Sequence, residues 1–250
     1  MSSVIGVIGG SGLYTLDEKD AAEPTAVVTP YSNEPVTVFT CKLASHNVVF
    51  LPRHGSSHGT PPHRVNYRAN LHAMAECGVD FIIAVNVVGG ISPQMLPGTI
   101  VIPDQIIDYT WGREHTYFER LEKPENHIDF TWPYDKSLAK VLAQTTLSLG
   151  LPLTSGGPGG VYGCTQGPRL ETAAEIIRMK NDGCDIVGMT AMPEAALARE
   201  LGIAYASIAL VVNWAAGLTQ ETISFGEIAS TLDEGMAGIK RVLLTTIADL

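Results

Sequence analysis

Several polar and glycine-rich motifs follow apolar, β-branched runs in this 250-residue chain. The first is Val4–Leu13, where glycines surround Ser11. Glycine lets backbone N–H groups approach an anion closely, and the serine adds a hydroxyl donor. An anion-binding loop and an ordinary tight turn are equally consistent with this motif. Its glycines resemble a dinucleotide fingerprint only superficially, because Gly6 lies inside the strand and no acidic residue follows at the next strand end.

Arg53 and His54 come directly after a second apolar run, Val48–Leu51. Ligand-binding groups in open α/β sheets gather at the carboxyl ends of strands. The planar guanidinium of arginine offers a donor fork suited to phosphate, and His54 can donate beside it. A solvated loop is the alternative. His58 and His63 follow nearby, but no carboxylate completes a metal-ligand set, so we expect no metal site.

Two further motifs carry groups that could bind a ligand. The run Val85–Gly90 places Asn86 and Val87 where an apolar strand enters glycines. Free N–H groups there could bind a phosphate or a sugar, or form a polar turn. Glu171 lies in Thr165–Thr172, at or near the start of a predicted helix. Its carboxylate could cap that helix or accept a hydrogen bond from a ring N–H group.

The last two motifs also sit at strand ends. Thr190 follows an apolar run and precedes a helix, so its hydroxyl could cap the helix or bind an anion there. The neighbouring Met189 could pack against a sugar or lie in the core. Asn213 ends the long run Ala204–Val212. Its amide could recognise the edge of a base or cap its own turn.

Short strands and intervening helices must position these motifs. The predicted strands are Val4–Ile8, Val36–Phe39, Val48–Leu51, Phe81–Val88, Ile100–Ile102, Asp185–Gly188 and Ala204–Val212. The predicted helices are Asn66–Cys77, Glu171–Asn181, Pro193–Leu201 and about Gly226–Ile247. This alternation predicts one α/β domain over residues 1–250, with a mostly parallel twisted central sheet flanked by helices. The polar segment Tyr109–Pro133 reads as a long surface loop, and such loops often cover active sites.

The composition excludes several classes of protein. A formal net charge of −10 disfavours a nucleic-acid surface but allows a small anionic ligand. We expect free thiols in a reducing compartment, since no cysteine pair has CxxC or zinc-ligand spacing. No signal-peptide pattern begins the sequence and no apolar run could span a bilayer, so we expect a cytoplasmic protein without membrane contact. The cysteines are Cys41, Cys77, Cys164 and Cys184.

The order of these motifs resembles that of the trimeric purine nucleoside phosphorylases, especially their methylthioadenosine phosphorylase branch. The motifs are GGSG, RHG, VNYRAN, LPGTIVIPDQ, GPRLET and GMTAMPE, followed by the strand that ends at Asn213. The resemblance covers nearly the whole chain. It implies a nucleoside phosphorylase-like fold and a homotrimer with sites near subunit interfaces. It also implies that inorganic phosphate is a co-substrate and that no metal or organic cofactor is used.

The resemblance also implies roles for individual residues. Phosphate would be bound by Ser11, Arg53, His54, Thr190 and the backbone near Asn86 and Val87. Met189 would pack against the ribose, while Glu171 and Asn213 would face the purine. Phosphate would attack C1′ as the bond to the base breaks, and Asn213 would donate and accept at O6 and N7 as the base gains charge. Catalysis is thus expected to depend on Asn213, His54 and Arg53.

Departures from the methylthioadenosine branch predict the nucleoside. That branch has aspartates at the base-reading strand end, where this chain has Asn213, Trp214 and Ala215. Asparagine can donate to a 6-oxo group, whereas an aspartate would repel it. Glu171 also fits the branch that acts on 6-oxopurines, whose glutamate accepts from N1–H. Both features favour hypoxanthine or guanine over adenine.

The sugar end differs from the 6-oxopurine branch, which binds the 5′-hydroxyl with a histidine downstream of its asparagine. The last histidine here is His127, and Leu170, Ile223 and Phe225 could instead form an apolar pocket for a methylthio group. The two departures together imply phosphorolysis of S-methyl-5′-thioinosine to hypoxanthine and 5-methylthioribose 1-phosphate. The alternatives are a methylthioadenosine phosphorylase, a general 6-oxopurine nucleoside phosphorylase, a nucleoside hydrolase and a non-catalytic nucleotide-binding protein.

Overall fold

The computed structural model describes residues 3–13, 22–55, 59–120, 123–220 and 223–250. Within these ranges the chain forms ten strands and five α-helices. The strands are β1 (Val4–Gly9), β2 (Glu23–Val27), β3 (Val36–Leu43), β4 (His46–Pro52), β5 (Phe81–Gly90), β6 (Ile100–Val101), β7 (Gln105–Asp108), β8 (Val161–Cys164), β9 (Ile186–Gly188) and β10 (Ala204–Trp214). The helices are α1 (Tyr67–Glu76), α2 (Lys136–Ser148), α3 (Ala173–Asn181), α4 (Ala191–Glu200) and α5 (Phe225–Asp249).

Four parallel strands form the centre of the sheet. β1 pairs with β4 and β5, and β5 pairs along its other edge with β10. Their carboxyl ends therefore meet at one edge of the sheet, where α/β proteins bind ligands. β2 and β3 extend the β4 side as antiparallel strands. On the other side β7, β8 and β9 are parallel to one another, and β9 runs antiparallel to the end of β5. The predicted α/β fold with a mostly parallel sheet is confirmed.

Helices cover both faces of the sheet. Side chains alternate between faces along each strand, so Ile82 packs with Leu71 and Met74 of α1 while its neighbour Ile83 packs with Leu142 of α2 and Leu243 of α5. All six of these side chains are fully buried. Burial on both faces explains why the central strands read as continuous apolar runs. Among the described residues, none of the helices is long and apolar enough to cross a membrane.

Some elements differ from those that the sequence predicts. β2, β7, β8 and α2 were not predicted, and β5 continues through both glycines to Gly90. Asn86 therefore lies inside a strand, paired with Ala209, rather than at a turn. The regular part of α4 begins at Pro193, as predicted, because Met192 has non-helical angles (φ −117°, ψ 139°).

Candidate active site

A cavity of about 460 Å³ lies where β1, β4, β5 and β10 reach their carboxyl edge. It brings together most residues that the sequence singles out, although the motifs are far apart along the chain. The predicted residues that line it are Ser11, Arg53, His54, Val87, Leu170, Glu171, Met189, Thr190, Asn213, Ala215, Ile223 and Phe225. Asn86 and Trp214 do not line it. Arg53 lies buried in the cavity and Phe225 is largely exposed, and we call the parts around them the polar end and the apolar end.

The guanidinium of Arg53 is buried at the polar end, with its side chain 1% exposed. Its Nε and Nη2 donate to the two carboxylate oxygens of Glu194 at 2.7 and 2.8 Å, and Nη1 donates to the Val85 carbonyl at 2.9 Å. Burial lowers the pKa of Arg53, but the Glu194 carboxylate outweighs this effect and holds that pKa above its usual value. Glu194 therefore occupies the Nε and Nη2 side of the donor fork, and the predicted contact of Arg53 with phosphate depends on what remains. One N–H on each terminal nitrogen remains.

The glycine-rich turn after β1 packs directly against Arg53. A Cβ at Gly10 would lie 2.9 Å from both Arg53 Nη1 and the Val85 carbonyl oxygen, so a side chain is excluded there. The Leu13 N–H donates to the Gly10 carbonyl at 3.2 Å, which closes the turn. Gly12 has a φ of +81°, which favours glycine. The motif is thus a tight turn that places Ser11 on the cavity wall.

His54 lies beside Arg53 and is also buried. Its Nδ1 is 2.8 Å from the Thr60 carbonyl oxygen, and a carbonyl can only accept, so Nδ1 carries a proton. Pro61 and Pro62, which follow Thr60, also line the cavity. His58 lies outside the described residues. Among the described residues, no group of three or more His, Cys, Asp or Glu side chains is placed to hold a metal ion.

Thr190 is positioned by a buried hydrogen-bond chain. Asn86 Nδ2 donates to Thr190 Oγ1 at 2.8 Å, while Asn86 Oδ1 accepts from the Ser207 hydroxyl. The Asn86 side chain thus connects Ser207 of β10 to Thr190. It does not line the cavity, and it contributes there by positioning the Thr190 hydroxyl. Thr190 makes no side-chain capping bond to α4. Its hydroxyl accepts from Asn86, and Thr190 lines the cavity.

Glu171 lies on the cavity wall just before α3. Capping of α3 is performed by Thr172 and Glu175, which bond reciprocally with each other's backbone N–H groups. Glu171 accepts instead from the Thr165 hydroxyl at 2.6 Å. Of the two roles that the sequence left open, helix capping is therefore excluded for Glu171. One carboxylate oxygen is held by Thr165, and the group faces the cavity.

A β-bulge orients the end of β10. The register with β5 shifts between Val211 and Asn213, so two residues of β10 oppose one residue of β5. Adjacent residues of a regular strand point to opposite faces, yet Val212 and Asn213 both line the cavity. Asn213 Nδ2 donates to the Trp214 carbonyl at 2.6 Å, which fixes the amide orientation. Trp214 does not line the cavity, so the structure does not support its predicted contact with substrate.

The apolar end of the cavity is formed by residues from three segments. Leu170, Ile223 and Phe225 line it, as the sequence predicts, and Ile228 of α5 joins them. Phe225 is 75% exposed, so this end of the cavity opens toward solvent. Contact with Leu170 and Ile223 would remove part of the surface of a ligand's methyl group from water.

Sequence reasoning missed the partner of Arg53 and the use of the polar segment Tyr109–Pro133. Glu194 lies in the motif GMTAMPE, but nothing local in the sequence indicates a partner 141 residues away. No described residue of Tyr109–Pro133 lines the cavity. Residues 109–111 instead line a second, polar cavity of about 430 Å³ that shares Glu171 with the first.

Comparisons with known proteins agree with this arrangement. Residues 4–248 match the family model of the phosphorylase superfamily. The chain is 46% identical to a probable S-methyl-5′-thioinosine phosphorylase of Xanthomonas campestris pv. campestris, covering 97% of this chain and 96% of that protein. It is 43% identical to the 6-oxopurine nucleoside phosphorylase of Pyrococcus furiosus, covering 97% and 91%.

The fold is also similar to that of a solved nucleoside phosphorylase. The structure of Schistosoma mansoni methylthioadenosine phosphorylase in complex with adenine superposes with a TM-score of 0.90 at 29% identity, covering 99% of this chain and 91% of that one. The family match and the relatives extend over nearly the whole chain. The chain therefore belongs to the phosphorylase superfamily, and within it is a nucleoside phosphorylase, an enzyme of the pentosyltransferase class.

Proposed function

We propose that this enzyme cleaves S-methyl-5′-thioinosine with inorganic phosphate, giving hypoxanthine and 5-methylthioribose 1-phosphate. The observation that carries this proposal is a single cavity with three different regions. Its polar end contains Arg53, its base-facing wall combines Asn213 with Glu171, and its far end is apolar. The relatives named for thioinosine and 6-oxopurine substrates support the same class of nucleoside.

We assign phosphate to the polar end. Ser11 and Thr190 supply hydroxyl donors, and Arg53 supplies its two remaining N–H groups. Glu194 neutralises the charge of Arg53, so phosphate binding depends on directed hydrogen bonds more than on net positive charge. This assignment suits an enzyme with a net charge of −10, which offers no long-range attraction to an anion.

The base is assigned to the wall formed by Asn213 and Glu171. Glu171 would accept from N1–H, and the Asn213 amide would meet O6 and N7. In the reaction an oxygen of phosphate bonds to C1′ while the C1′–N9 bond breaks. The electron pair of the C1′–N9 bond passes to the purine. The purine then leaves as neutral hypoxanthine after taking up a proton. Donors fixed before the reaction stabilise the developing charge without reorganisation.

The 5′-methylthio group is assigned to the apolar end with Ile223, Phe225 and Leu170. A 5′-hydroxyl placed there would find no hydrogen-bond partner on these three side chains. A general 6-oxopurine nucleoside phosphorylase is the second candidate, favoured by the 43% identical relative named for that activity. The two candidates share the base and phosphate assignments and differ only at this end.

We further propose that the enzyme is a cytoplasmic homotrimer that needs no cofactor besides phosphate. The resemblance of its motifs to the trimeric phosphorylases supports this assembly. Light scattering on the purified protein should give three times the subunit mass, and activity should survive dialysis against a chelator. A monomeric mass or loss of activity after chelation would contradict these parts of the proposal.

Phosphate dependence tests the reaction type. With S-methyl-5′-thioinosine, hypoxanthine release should require phosphate and be accompanied by an equimolar amount of pentose 1-phosphate. Omitting phosphate should reduce hypoxanthine release to background. Undiminished release in phosphate-free buffer would show hydrolysis and overturn the proposal.

A further inference from the structure

We propose that Arg113 is a positioning residue that holds the base-facing wall and the sugar-facing wall of the cavity at a fixed distance. Arg113 lies in the long segment between β7 and α2 and does not line the cavity. It is nevertheless only 9% exposed. Its guanidinium lies between two irregular stretches of backbone, residues 165–171 and 189–192. Each stretch contains residues that line the cavity. This inference rests on the proposed function.

The first stretch follows β8 and leads to Glu171. Arg113 Nη2 donates to the carbonyls of Thr165 and Gln166 at 3.1 and 2.8 Å, and Nε donates to Gln166 Oε1 at 3.1 Å. Thr165 in turn donates its hydroxyl to Glu171. The guanidinium is therefore connected through Thr165 to the carboxylate that we assign to the base.

The second stretch joins β9 to α4. Arg113 Nη1 donates to the Met189 carbonyl at 2.9 Å and to the Met192 carbonyl. Met189 lines the cavity, and Thr190, assigned to phosphate, lies between these two anchored residues. One guanidinium thus binds both walls through opposite terminal nitrogens.

The two walls also touch directly. Gly167 has a φ of +61°, and a Cβ there would lie 2.5 Å from the Met189 sulfur. The backbone of the first wall thus packs against the side chain of the second with no space for another atom. A small movement of either wall would change the position of Met189 in the cavity. Arg113 is placed behind this contact and prevents that movement.

Arginine is required because its acceptors lie on several sides. A planar guanidinium has five N–H donors in a rigid arrangement, whereas a lysine ammonium is a single point of charge. Among the residues that the structure describes, no carboxylate forms an ion pair with Arg113. Its charge is compensated by carbonyl groups, an amide oxygen and the hydroxyl of Tyr67, at 3.2 Å. Such a buried cation is costly unless all its donors are used.

Arg113→Lys tests this proposal in the full-length enzyme. Loss of the fixed geometry should lower kcat/KM for the nucleoside about 100-fold, as expected for a misplacement of about 1 Å at a reacting centre. The loss should include a higher KM as well as a lower kcat, because both walls contact the nucleoside. A variant that merely contains less folded protein would lose kcat with an unchanged KM. Arg113→Ala should regain activity when millimolar guanidinium is added.

Arg199→Lys is the matched control. Arg199 donates to the carbonyls of Asp129 and Trp132 in the same segment, at 2.8 and 2.6 Å, and does not line the cavity. It should keep the wild-type KM and kcat. Gln166→Leu removes one acceptor of Arg113 and is a milder second variant if Arg113→Lys does not fold. It should raise KM in the same direction by a smaller factor.

Amide hydrogen exchange separates failure of this inference from failure of the proposed function. In the ligand-free Arg113→Lys enzyme, exchange should rise in residues 165–171 and 189–192 and remain unchanged elsewhere. This result needs no substrate, so it stands even if S-methyl-5′-thioinosine is not turned over. Unchanged exchange in both segments, or kinetics equal to those of Arg199→Lys, would overturn the role of Arg113. The same would follow if guanidinium failed to rescue a folded Arg113→Ala enzyme.

Discussion

Glu194 binds Arg53 through two parallel hydrogen bonds of 2.7 and 2.8 Å, and both side chains are 1% exposed. Tyr205 donates to the same carboxylate at 2.8 Å. This buried pair connects α4 to the loop that follows β4, and thereby connects two sides of the polar end of the cavity. Glu194 does not line the cavity itself, so its effect on substrate passes through Arg53.

Glu194→Gln should reduce stability strongly. Removing one partner leaves the charge of Arg53 buried and unpaired, which costs about 3 to 5 kcal/mol. Urea unfolding should show this decrease in the free energy of unfolding. Glu175→Gln is the control, because Glu175 makes the same two-bond pair with Arg169 at the surface, and its loss should cost at most about 1 kcal/mol. Equal losses in the two variants would contradict the importance of the buried pair.

Asn213→Asp should shift the preference among purines. An aspartate accepts from the amino group of adenine and repels the 6-oxo group of hypoxanthine. A charge-assisted hydrogen bond of about 1.5 to 3 kcal/mol corresponds to a change of roughly 10- to 100-fold in the ratio of kcat/KM for methylthioadenosine to methylthioinosine. Asn47→Asp makes the same change at an exposed position of β4 and should leave the ratio unaltered. An unchanged ratio in Asn213→Asp would refute the assigned contact with the base.

Ile223→Ser should reduce the selection for the methylthio group. Contacts of a single small apolar group are worth about 1 to 3 kcal/mol, so kcat/KM for methylthioinosine should fall roughly tenfold or more relative to inosine. Ile177→Ser is a suitable control because Ile177 is 58% exposed on α3 and does not line the cavity. If both nucleosides lose activity equally in Ile223→Ser, the methylthio group is not bound at this end.

Cys164 should resist thiol reagents in the folded enzyme. The side chain is fully buried, and burial raises the pKa of its thiol to about 12. Only the thiolate reacts with iodoacetamide, so at pH 8 the folded protein should carry no label at this residue. Peptide mass spectrometry before and after unfolding in urea provides the measurement, with the half-buried Cys41 as the internal comparison. Labelling of Cys164 before unfolding would show that this strand end opens readily.

The sequence predicted the central strands because burial on both faces leaves an unmistakable apolar run. β2 was not predicted because Glu23–Val27 is largely exposed and contains a proline, so it lacks the apolar run of a buried strand. α2 was also missed, although Asp135 caps its first turn and successive turns bury Leu138 and Leu142. Local patterns identify an element best when it is long and buried.

The residues around the cavity could be predicted only in part. Strand ends and glycines located Ser11 and Asn213, because parallel strands must end at one edge. The partner of Arg53 could not be read from the sequence, since the pairing with Glu194 depends on the packing of α4 against β10. The bulge at Val212 likewise has no local sequence signal, and Trp214 does not line the cavity. Tertiary contacts decide these last details.

The selectivity of the purified enzyme tests the central claim most directly. Values of kcat/KM should be measured at saturating phosphate for S-methyl-5′-thioinosine, methylthioadenosine and inosine. We predict that S-methyl-5′-thioinosine is preferred to both, because Asn213 and Glu171 favour a 6-oxopurine and the apolar end favours the methylthio group. A preference for methylthioadenosine would contradict the assignment of the base, and a preference for inosine would contradict the assignment of the apolar end.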